Sequence, residues 1–297
     1  MAGHAHKTAR PAAALAALAC AALTGAACGS GSQPAPGTAT SAGASMNPTA
    51  TLSATGPRAT RATATFTVTA PRQAASRPLA GRTVTVDPGH NGGNFSHPQQ
   101  IARLVPDGNG EKECDTTGTA APDGYRETDF NWSVAERLRA LLRAAGANVV
   151  LTRASNTGVG PCVNERAAIG NRAHSDAAIS IHGDGGPPGG SGFAVLIPAP
   201  IPSRGDQAII TPSRRLGDEV RAALLAGGLH ASDYDGHAGI APRTDLGGLN
   251  LSRVPKVFVE VANMQNPGDE APMERPAFRR HVAGALLAAL ERFLPAG

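Results

Sequence analysis

The chain has 297 residues, enough for one sizeable α/β domain or two small ones, and only 3% aromatic residues, so Val, Leu, Ile and Ala must form its core. Of its 27 basic and 23 acidic residues, positions 1–86 hold seven basic and no acidic ones, so residues 87–297 carry a net charge of −3. Proteins that bind nucleic acids concentrate Lys and Arg on one face, so this mildly acidic remainder argues against DNA or RNA as a partner.

Residues 1–28 have the pattern of an export signal. Lys7 and Arg10 form a basic start, an apolar stretch of Ala and Leu covers residues 12–27, and small residues precede Cys28. A spanning helix needs ~20 strongly apolar residues, so a permanent membrane span is the weaker interpretation. We therefore expect an exported protein of the cell envelope.

Cys28 raises the alternative of a lipid anchor. Cys28 and the GSGSQP that follows it resemble a bacterial lipoprotein processing site, where the cysteine becomes the lipidated N-terminus. Such sites usually carry an aliphatic residue three positions earlier, where this chain has Gly25, and Cys20 fits no better. Two destinations stay open: secretion to the periplasm or wall, and anchoring to the membrane as a lipoprotein.

Residues 29–78 consist mainly of Ala, Thr, Ser, Gly and Pro with scattered Arg. This composition cannot bury enough apolar surface to offset the entropy lost on ordering, so it predicts a disordered tether. Within it, TFTVT at 65–69 could form a strand, but no neighbouring segment offers a pairing partner. We expect the folded domain to cover residues 79–297.

From residue 79 onward, strand-like and helix-like patterns alternate. Predicted strands lie at 82–87, 147–153, 177–182, 192–198 and 256–262, and predicted helices at 129–146, 163–174, 214–227 and 274–294. The helix 129–146 places Val134, Leu138, Leu141 and Leu142 on one face and ends at Gly146. The alternation predicts a single α/β domain, with a mostly parallel or mixed twisted sheet covered by helices on both faces.

Two cysteines, Cys114 and Cys162, lie in the predicted domain. In an oxidising compartment an even pair favours a disulfide, with two free buried thiols as the alternative. Closing the 48-residue loop between them would contribute about 4 kcal/mol in the chain-entropy model.

Four polar residues lie at the ends of predicted elements. His90 follows the first strand in VTVDPGHNGG, Glu127 precedes the helix 129–146, His182 ends the strand 177–182, and Glu260 lies near the end of the last strand. Ligands of open α/β sheets bind beyond the carboxyl ends of the strands, so these residues are candidates for one site. Two imidazoles and a carboxylate are the ligand types of an open catalytic zinc site, and a second carboxylate would be its general base.

Each residue alone has a simpler interpretation. A single histidine after a strand is more often a hydrogen-bonded structural residue than a ligand. A carboxylate inside an apolar strand costs several kcal/mol unless it is paired or ligated, so a structural salt bridge to an arginine is the alternative for Glu260.

Four motifs, in order, resemble the zinc-dependent N-acetylmuramoyl-L-alanine amidases, in the group typified by bacterial sporulation and daughter-cell-separation enzymes. The resemblance covers about residues 82–294, essentially the whole predicted domain. The motifs are VTVDPGHNGG, the Gly-rich approach to Glu127 with NWSVAERLRALLRAAGANVVLTR after it, NERAAIGNRAHSDAAISIHGDG, and VFVEVANMQNPGDE.

The resemblance implies that one Zn²⁺ per chain is bound by His90, Glu127 and His182, and that Glu260 is the general base for a zinc-bound water. The implied substrate is peptidoglycan, cleaved at the amide between N-acetylmuramic acid and L-alanine. We expect a monomer. The glycines of VTVDPGHNGG are expected to leave room for the metal and the substrate.

Departures from the family pattern leave several roles open. Asp184 stands where many relatives have Asn, and we expect it to contact substrate or solvent, with an additional metal ligand as the alternative. The resemblance implies that Asn263 orients Glu260 or the substrate. Arg166 is expected to form an ion pair that covers the sheet or to support a metal ligand. Residues 91–126 are expected to form a loop bordering the site, and whether it covers the metal stays open.

Two further functions are compatible with this pattern. One is a wall-binding or regulatory protein that kept the fold and lost turnover, although all four metal and base positions are filled here. The other is a zinc hydrolase that cleaves a peptide bond or an acetamide. Turnover assays separate the first from an amidase, and the reaction products separate the second.

Overall fold

The computed structural model describes residues 77–205 and 207–294, which all belong to one compact unit. The predicted export signal, with Cys20 and Cys28, and the predicted strand at 65–69 lie outside the described residues, as does nearly all of the predicted tether. No helix in the described ranges combines the length and apolar character that crossing a membrane requires.

The centre of the domain is a mixed six-stranded sheet in the order β4-β1-β5-β8-β6-β7. Strands β4, β1, β5 and β8 run parallel, β6 is antiparallel to β8, and β7 is parallel to β6. Two short strands, β2 and β3, form a separate antiparallel hairpin. The strands are β1 (Thr83–Pro88), β2 (Leu104–Pro106), β3 (Glu111–Glu113), β4 (Asn148–Leu151), β5 (Ala177–Asp184), β6 (Ala194–Pro198), β7 (Ile240–Arg243) and β8 (Lys256–Asn263).

Helices cover both faces of this sheet, so the predicted α/β domain is confirmed. Helices α2, α4 and α7 pack on one face over the main apolar core, and α3 and α5 cover the other. The helices are α1 (Pro98–Ile101), α2 (Glu127–Ala144), α3 (Val163–Arg172), α4 (Ile210–Ala226), α5 (Gly247–Asn250), α6 (Pro267–Met273) and α7 (Pro276–Phe293).

The hydrophobic pattern explains this arrangement. Strand β5 lies in the middle of the parallel part, so almost every residue of AAISIHGD is buried, as expected for a strand covered on both faces. Helix α2 buries Phe130, Val134, Leu138 and Leu142 along one stripe, with Leu141 partly buried against it. The chain leaves this helix at Gly146, whose φ of 98° suits a residue without a Cβ.

Several elements differ from the sequence-based expectations. Strand β7 was not predicted, because its sequence IAPR is short and contains a proline. The predicted loop 91–126 contains a 3-10 turn, helix α1 and the β2–β3 hairpin. The predicted helix 274–294 begins only at Pro276, and a separate helix, α6, precedes it.

Candidate metal centre and active site

Three predicted residues meet at the carboxyl end of the parallel strands. His90, Glu127 and His182 each offer one ligand atom, and these atoms lie within 4.8 Å of one another. Nε2 of His90 is 3.5 Å from Glu127 Oε1, and Nδ1 of His182 is 2.9 Å from the same oxygen. The three ligand-type residues predicted from the sequence therefore form one cluster.

Glu127 enters the cluster from the first turn of α2. The helix begins at this residue rather than at residue 129, so the partial positive charge of the helix N-terminus favours the carboxylate. The backbone N–H of Thr119 donates to Oε2 at 2.8 Å, and Asn131 Nδ2 donates to Oε1 at 3.1 Å. Burial alone would raise the pKa of Glu127, but His90 and His182 lower it to about 2. Glu127 is therefore a carboxylate at neutral pH.

His90 lies on the loop after β1 with its backbone in the left-handed region, at a φ of 54°. Its Nδ1 is 2.9 Å from Asp115 Oδ1, which leaves Nε2 directed toward Glu127. Burial alone would lower the pKa of His90, but the Glu127 and Asp115 carboxylates raise it. The site thus favours positive charge at this position.

His182 lies inside β5, which continues to Asp184 rather than ending at the histidine. Its ring stacks on Phe258 with centroids 5.2 Å apart, and its Nε2 is 3.2 Å from Ser180 Oγ. A Cβ added to Gly89 would lie 2.1 Å from His182 Cε1, so only glycine permits this approach.

The glycines of VTVDPGHNGG therefore serve close packing within the protein, not open space for substrate as expected. Gly89 is in contact with the ring of His182. A Cβ at Gly92 would lie 2.1 Å from Asn156 O, and one at Gly93 would lie 2.3 Å from Gly158 O. The loop lacks side chains at these positions because strand β5 and residues 156–158 pack directly against its backbone.

The donor set of the cluster fits Zn²⁺. Zinc sites in enzymes combine imidazole nitrogens with a carboxylate oxygen at roughly 2.0–2.2 Å, which puts neighbouring ligand atoms roughly 3.3 Å apart in a tetrahedron. The distances of 3.5 and 2.9 Å from the two histidines to Glu127 bracket that separation. Three protein ligands also leave a fourth position for a water or a substrate oxygen.

Glu260 lies beside the cluster because β8 pairs with β5 in parallel, with Glu260 in register with His182. Its Oε2 is buried and has no hydrogen-bond partner. Burial raises the pKa of Glu260 well above its usual value, as do Glu127, Asp184 and Asp235, whereas Arg243 lowers it. The predicted alternative, a structural salt bridge at Glu260, is not seen among the described residues.

The two histidines of the cluster and Glu260 line a cavity of about 220 Å³. Its walls come from the β2–β3 hairpin, the loop before α5 and strand β8. Residues that line it include His90, His182, Glu260, Lys112, Glu113 and Leu246. The segment 91–126 therefore borders the site, as predicted, through its hairpin.

Arg166 binds the backbone of His90 and two buried aspartates. Its guanidinium pairs with Asp87 at 3.0 Å and Asp115 at 2.9 Å, and it donates to the backbone carbonyl of His90 at 2.9 Å. The predicted ion pair of Arg166 is therefore present, and its support of a metal ligand stays a prediction. The disulfide joins Cys114 to Cys162 with an S–S distance of 2.07 Å, which confirms the predicted pairing beside Asp115.

Asp184 and Asn263 form a pair at the end of β5 and β8. Asp184 Oδ2 accepts from the Tyr234 hydroxyl at 2.6 Å, and Asp184 does not belong to the described metal-ligand cluster. Asn263 Nδ2 donates to the carbonyls of Pro187 and Gly190, so its amide holds that loop. The role of Asn263 in orienting Glu260 or substrate stays a prediction.

Sequence reasoning missed the polar residues behind the two histidines. These are Asp87, Asp115, Ser180 and Lys256, all of them buried. Two of them carried a signal, because Asp87 ends an apolar strand and Lys256 begins another, where unpaired charges are costly. Asp115 and Ser180 carried none that separates them from ordinary loop and strand residues.

An α/β sheet with a histidine–carboxylate–histidine cluster and a buried glutamate at its strand ends has the design of a hydrolase. Residues 84–292 match the Amidase_3 family, described as N-acetylmuramoyl-L-alanine amidase. Since the match covers well over half of the chain, the chain belongs to this family of peptidoglycan-cleaving enzymes, and the predicted family is confirmed.

Individual relatives agree with this assignment. The chain is 42% identical to N-acetylmuramoyl-L-alanine amidase Rv3717 of Mycobacterium tuberculosis, over 73% of this chain and 88% of the relative. The crystal structure of the amidase Ami1 from Mycobacterium smegmatis superposes with a TM-score of 0.69 at 42% identity, covering 73% of this chain and 98% of that one. The CwlD amidase from Clostridioides difficile, at 18% identity and a TM-score of 0.55 over 72% of this chain and 98% of its own, shares the fold.

Proposed function

We propose that the chain hydrolyses the amide between the lactyl group of N-acetylmuramic acid and L-alanine in peptidoglycan, using one Zn²⁺ held by His90, Glu127 and His182. Glu260 is the proposed general base. The observation that carries this proposal is the convergence of three ligand atoms within 4.8 Å, in register with a glutamate whose Oε2 is buried and unpartnered.

The metal and the glutamate have separate tasks. Zn²⁺ bound at the cluster supplies an electrophile that lowers the pKa of water toward ~7 and polarises the scissile carbonyl. Glu260 takes one proton from the attacking water at Oε2 and delivers it to the amide nitrogen as the C–N bond breaks. The products are a glycan with a free lactyl carboxylate and a peptide with a free amino group on L-alanine.

The surroundings of Glu260 suit a group that both accepts and donates a proton. Burial and the nearby carboxylates hold its pKa well above the usual value, which makes it a stronger base than an exposed glutamate. A divalent cation at the neighbouring cluster would oppose those carboxylates and lower the pKa of Glu260 from this raised value. A general base is most effective when its pKa lies near the working pH.

The cellular location that we propose rests on the peptidoglycan substrate and on the sequence pattern of residues 1–28. We propose that residues 1–28 direct export, that residues 29–78 form a tether, and that residues 79–297 form the catalytic domain, which acts in the envelope as a monomer. Mass spectrometry of the mature N-terminus distinguishes a lipidated Cys28 from a secreted chain cleaved near that point. An uncleaved N-terminus starting at Met1 in exported protein would contradict the export signal.

Product analysis tests the proposed reaction. Purified muropeptides are digested with the zinc-loaded chain, with the chain after chelation, and with the chelated chain after zinc is restored. We expect intact stem peptides beginning with L-alanine from the first and third samples only. Shorter peptides would indicate peptidase activity, loss of acetate would indicate a deacetylase, and unchanged activity after complete metal removal would refute the zinc mechanism.

A further inference from the structure

The two histidines of the cluster present different ring nitrogens to Glu127. Nε2 of His90 and Nδ1 of His182 face Glu127 Oε1, at 3.5 and 2.9 Å. The opposite nitrogen of each ring contacts a different polar group of the protein. A neutral imidazole carries one hydrogen, so the group behind each ring decides which nitrogen is left with a lone pair for a metal.

The group next to Nδ1 of His90 is the buried carboxylate of Asp115, and both of its oxygens accept hydrogen bonds. Asp115 Oδ1 is 2.9 Å from His90 Nδ1 and also accepts from the backbone N–H of Thr116 at 2.8 Å. Asp115 Oδ2 accepts from Arg166 Nη2 at 2.9 Å. Because the arginine and the backbone N–H can only donate, Asp115 accepts at both oxygens, and the hydrogen-bond network assigns the hydrogen of His90 to Nδ1.

Behind His182 lies a hydroxyl that is itself oriented by a carboxylate. Ser180 Oγ is 3.2 Å from His182 Nε2, and the hydroxyl donates to Asp87 Oδ2 at 3.0 Å. A hydroxyl has a single hydrogen, so once it donates to Asp87 its oxygen can only accept from His182. In the structure, Nδ1 of His182 donates to the ionised Glu127 at 2.9 Å, so a metal that binds Nδ1 displaces this hydrogen, and the serine oxygen then accepts the hydrogen that stays on Nε2.

Arg166 connects the group next to His90 with the group next to His182. Arg166 donates through Nη1 to Asp87 Oδ1 at 3.0 Å and through Nη2 to Asp115 Oδ2 at 2.9 Å. Lys256 Nζ pairs with the second oxygen of Asp87 at 2.9 Å, so two carboxylates are balanced by two cations in the interior. Such a satisfied and charge-balanced network resists rearrangement, because moving one member leaves another buried group unpaired.

We infer that Asp115, Arg166, Asp87 and Ser180, here called the histidine frame, are positioning residues that hold the outer ring nitrogen of each cluster histidine as a hydrogen-bond donor and thereby direct the opposite nitrogens toward zinc. The part of this inference that concerns zinc rests on the proposed function. The hydrogen bonds from the outer ring nitrogens to Asp115 and Ser180 are a property of the chain with or without metal. Groups of this kind behind metal-binding histidines are worth ~10- to 100-fold in metal affinity.

The Asp115→Asn substitution tests the frame at the His90 side. The Asp115 oxygens accept from three donors, His90 Nδ1, the Thr116 N–H and Arg166 Nη2, whereas asparagine has one acceptor oxygen, so at least one of these donors loses its partner. Loss at the first oxygen leaves His90 Nδ1 without an acceptor, and loss at the second leaves Arg166, which also holds the His90 carbonyl, facing an N–H₂ group. We expect the zinc affinity, measured by competition with a chelating dye, to fall ~10- to 100-fold.

Asp176→Asn is the matched control. Asp176 is also an aspartate that accepts a backbone N–H and pairs with an arginine, through Thr83 and Arg82, but it lies at the opposite end of β1. Its substitution should leave the zinc affinity unchanged. Ser180→Ala provides a second, charge-neutral test at His182 if Asp115→Asn does not fold, and we expect it to weaken zinc binding as well.

Nitrogen-15 NMR of the imidazoles gives a readout that general loss of stability does not produce. In the zinc-loaded unsubstituted chain we expect the hydrogen on Nδ1 of His90 and on Nε2 of His182, whereas without zinc Nδ1 of His182 should also carry a hydrogen, donated to Glu127. Asp115→Asn should change the pattern at His90 only. The reverse hydrogen positions in the unsubstituted chain, or unchanged zinc affinity and NMR patterns in both variants, would overturn the frame. If the unsubstituted chain bound no zinc while showing the expected hydrogens, the proposed metal mechanism would fail and the hydrogen positions would stand.

Discussion

His182 and Glu260 are direct register partners on the neighbouring parallel strands β5 and β8. Adjacent strands lie roughly 4.8 Å apart, so the sheet itself holds the proposed general base next to a proposed metal ligand. Both side chains line the same cavity as His90. The distance between the proposed base and the proposed metal ligand is therefore set by backbone pairing.

Replacing Glu260 separates metal binding from turnover. Glu260→Gln keeps the shape of the side chain but cannot accept the proton of water, so we expect activity on labelled peptidoglycan to fall ~10²- to 10⁴-fold. Zinc content, measured by elemental analysis, should stay at one per chain. Glu136→Gln, a substitution of a half-buried glutamate on α2, is the control and should retain full activity. Substantial activity in Glu260→Gln would remove this residue from the mechanism.

The contact between Gly89 and His182 predicts an unusual sensitivity to one methyl group. A Cβ at position 89 would lie 2.1 Å from His182 Cε1, so Gly89→Ala must displace the imidazole ring. We expect zinc affinity and activity to fall together. Gly284→Ala is the matched control, because a Cβ there meets nothing within 4 Å and alanine favours the helix α7 by roughly 1 kcal/mol. Normal zinc binding in Gly89→Ala would show that the ring is not needed in its present position.

Charges around Glu260 predict opposite shifts in the pH profile. Burial is the largest cause that raises the pKa of Glu260, Asp184 raises it further, and Arg243 lowers it. A general base must be ionised, so kcat/KM should rise as pH increases through the pKa of Glu260. Asp184→Asn lowers this pKa and should move the rising limb to lower pH, whereas Arg243→Gln should move it to higher pH. If the rising limb moved in the same direction in both variants, it would not report the ionisation of Glu260.

The disulfide predicts a link between stability and the metal site. Replacing Cys114 and Cys162 together by alanine opens a 48-residue loop, and the chain-entropy model gives a loss of about 4 kcal/mol in the free energy of unfolding. Because Asp115 follows Cys114 directly, zinc affinity should fall as well. Urea unfolding and dye competition measure the two effects. The unsubstituted chain in reductant should behave like the double variant, and unchanged stability in both would contradict the prediction.

The sequence predicts the residues of the site well because each lies within or next to a strongly patterned element. His90 follows a β-branched strand, His182 lies in the apolar strand β5, and Glu260 is a lone charge in β8. Parallel strands with helical connections bring such ends to one edge of the sheet. The spacing along the chain, combined with the resemblance, therefore sufficed to group them.

The histidine frame could not be predicted in the same way. Asp115 reaches His90 across 25 residues and Arg166 across 51, through a segment whose path depends on the hairpin and the disulfide. Glycine-rich and polar segments of this kind carry no periodic signal that fixes their course. Strand β7 was missed for a related reason, since it is held by pairing with β6 rather than by its own sequence pattern.

Anomalous scattering at the zinc absorption edge, from crystals of the zinc-loaded chain, tests the central claim most directly. We predict one strong peak per chain, within bonding distance of Nε2 of His90, Nδ1 of His182 and a carboxylate oxygen of Glu127. Glu260 should lie beside the peak without binding it. The absence of a peak at the cluster, or a zinc ion bound by Glu260 or by other residues, would contradict the account.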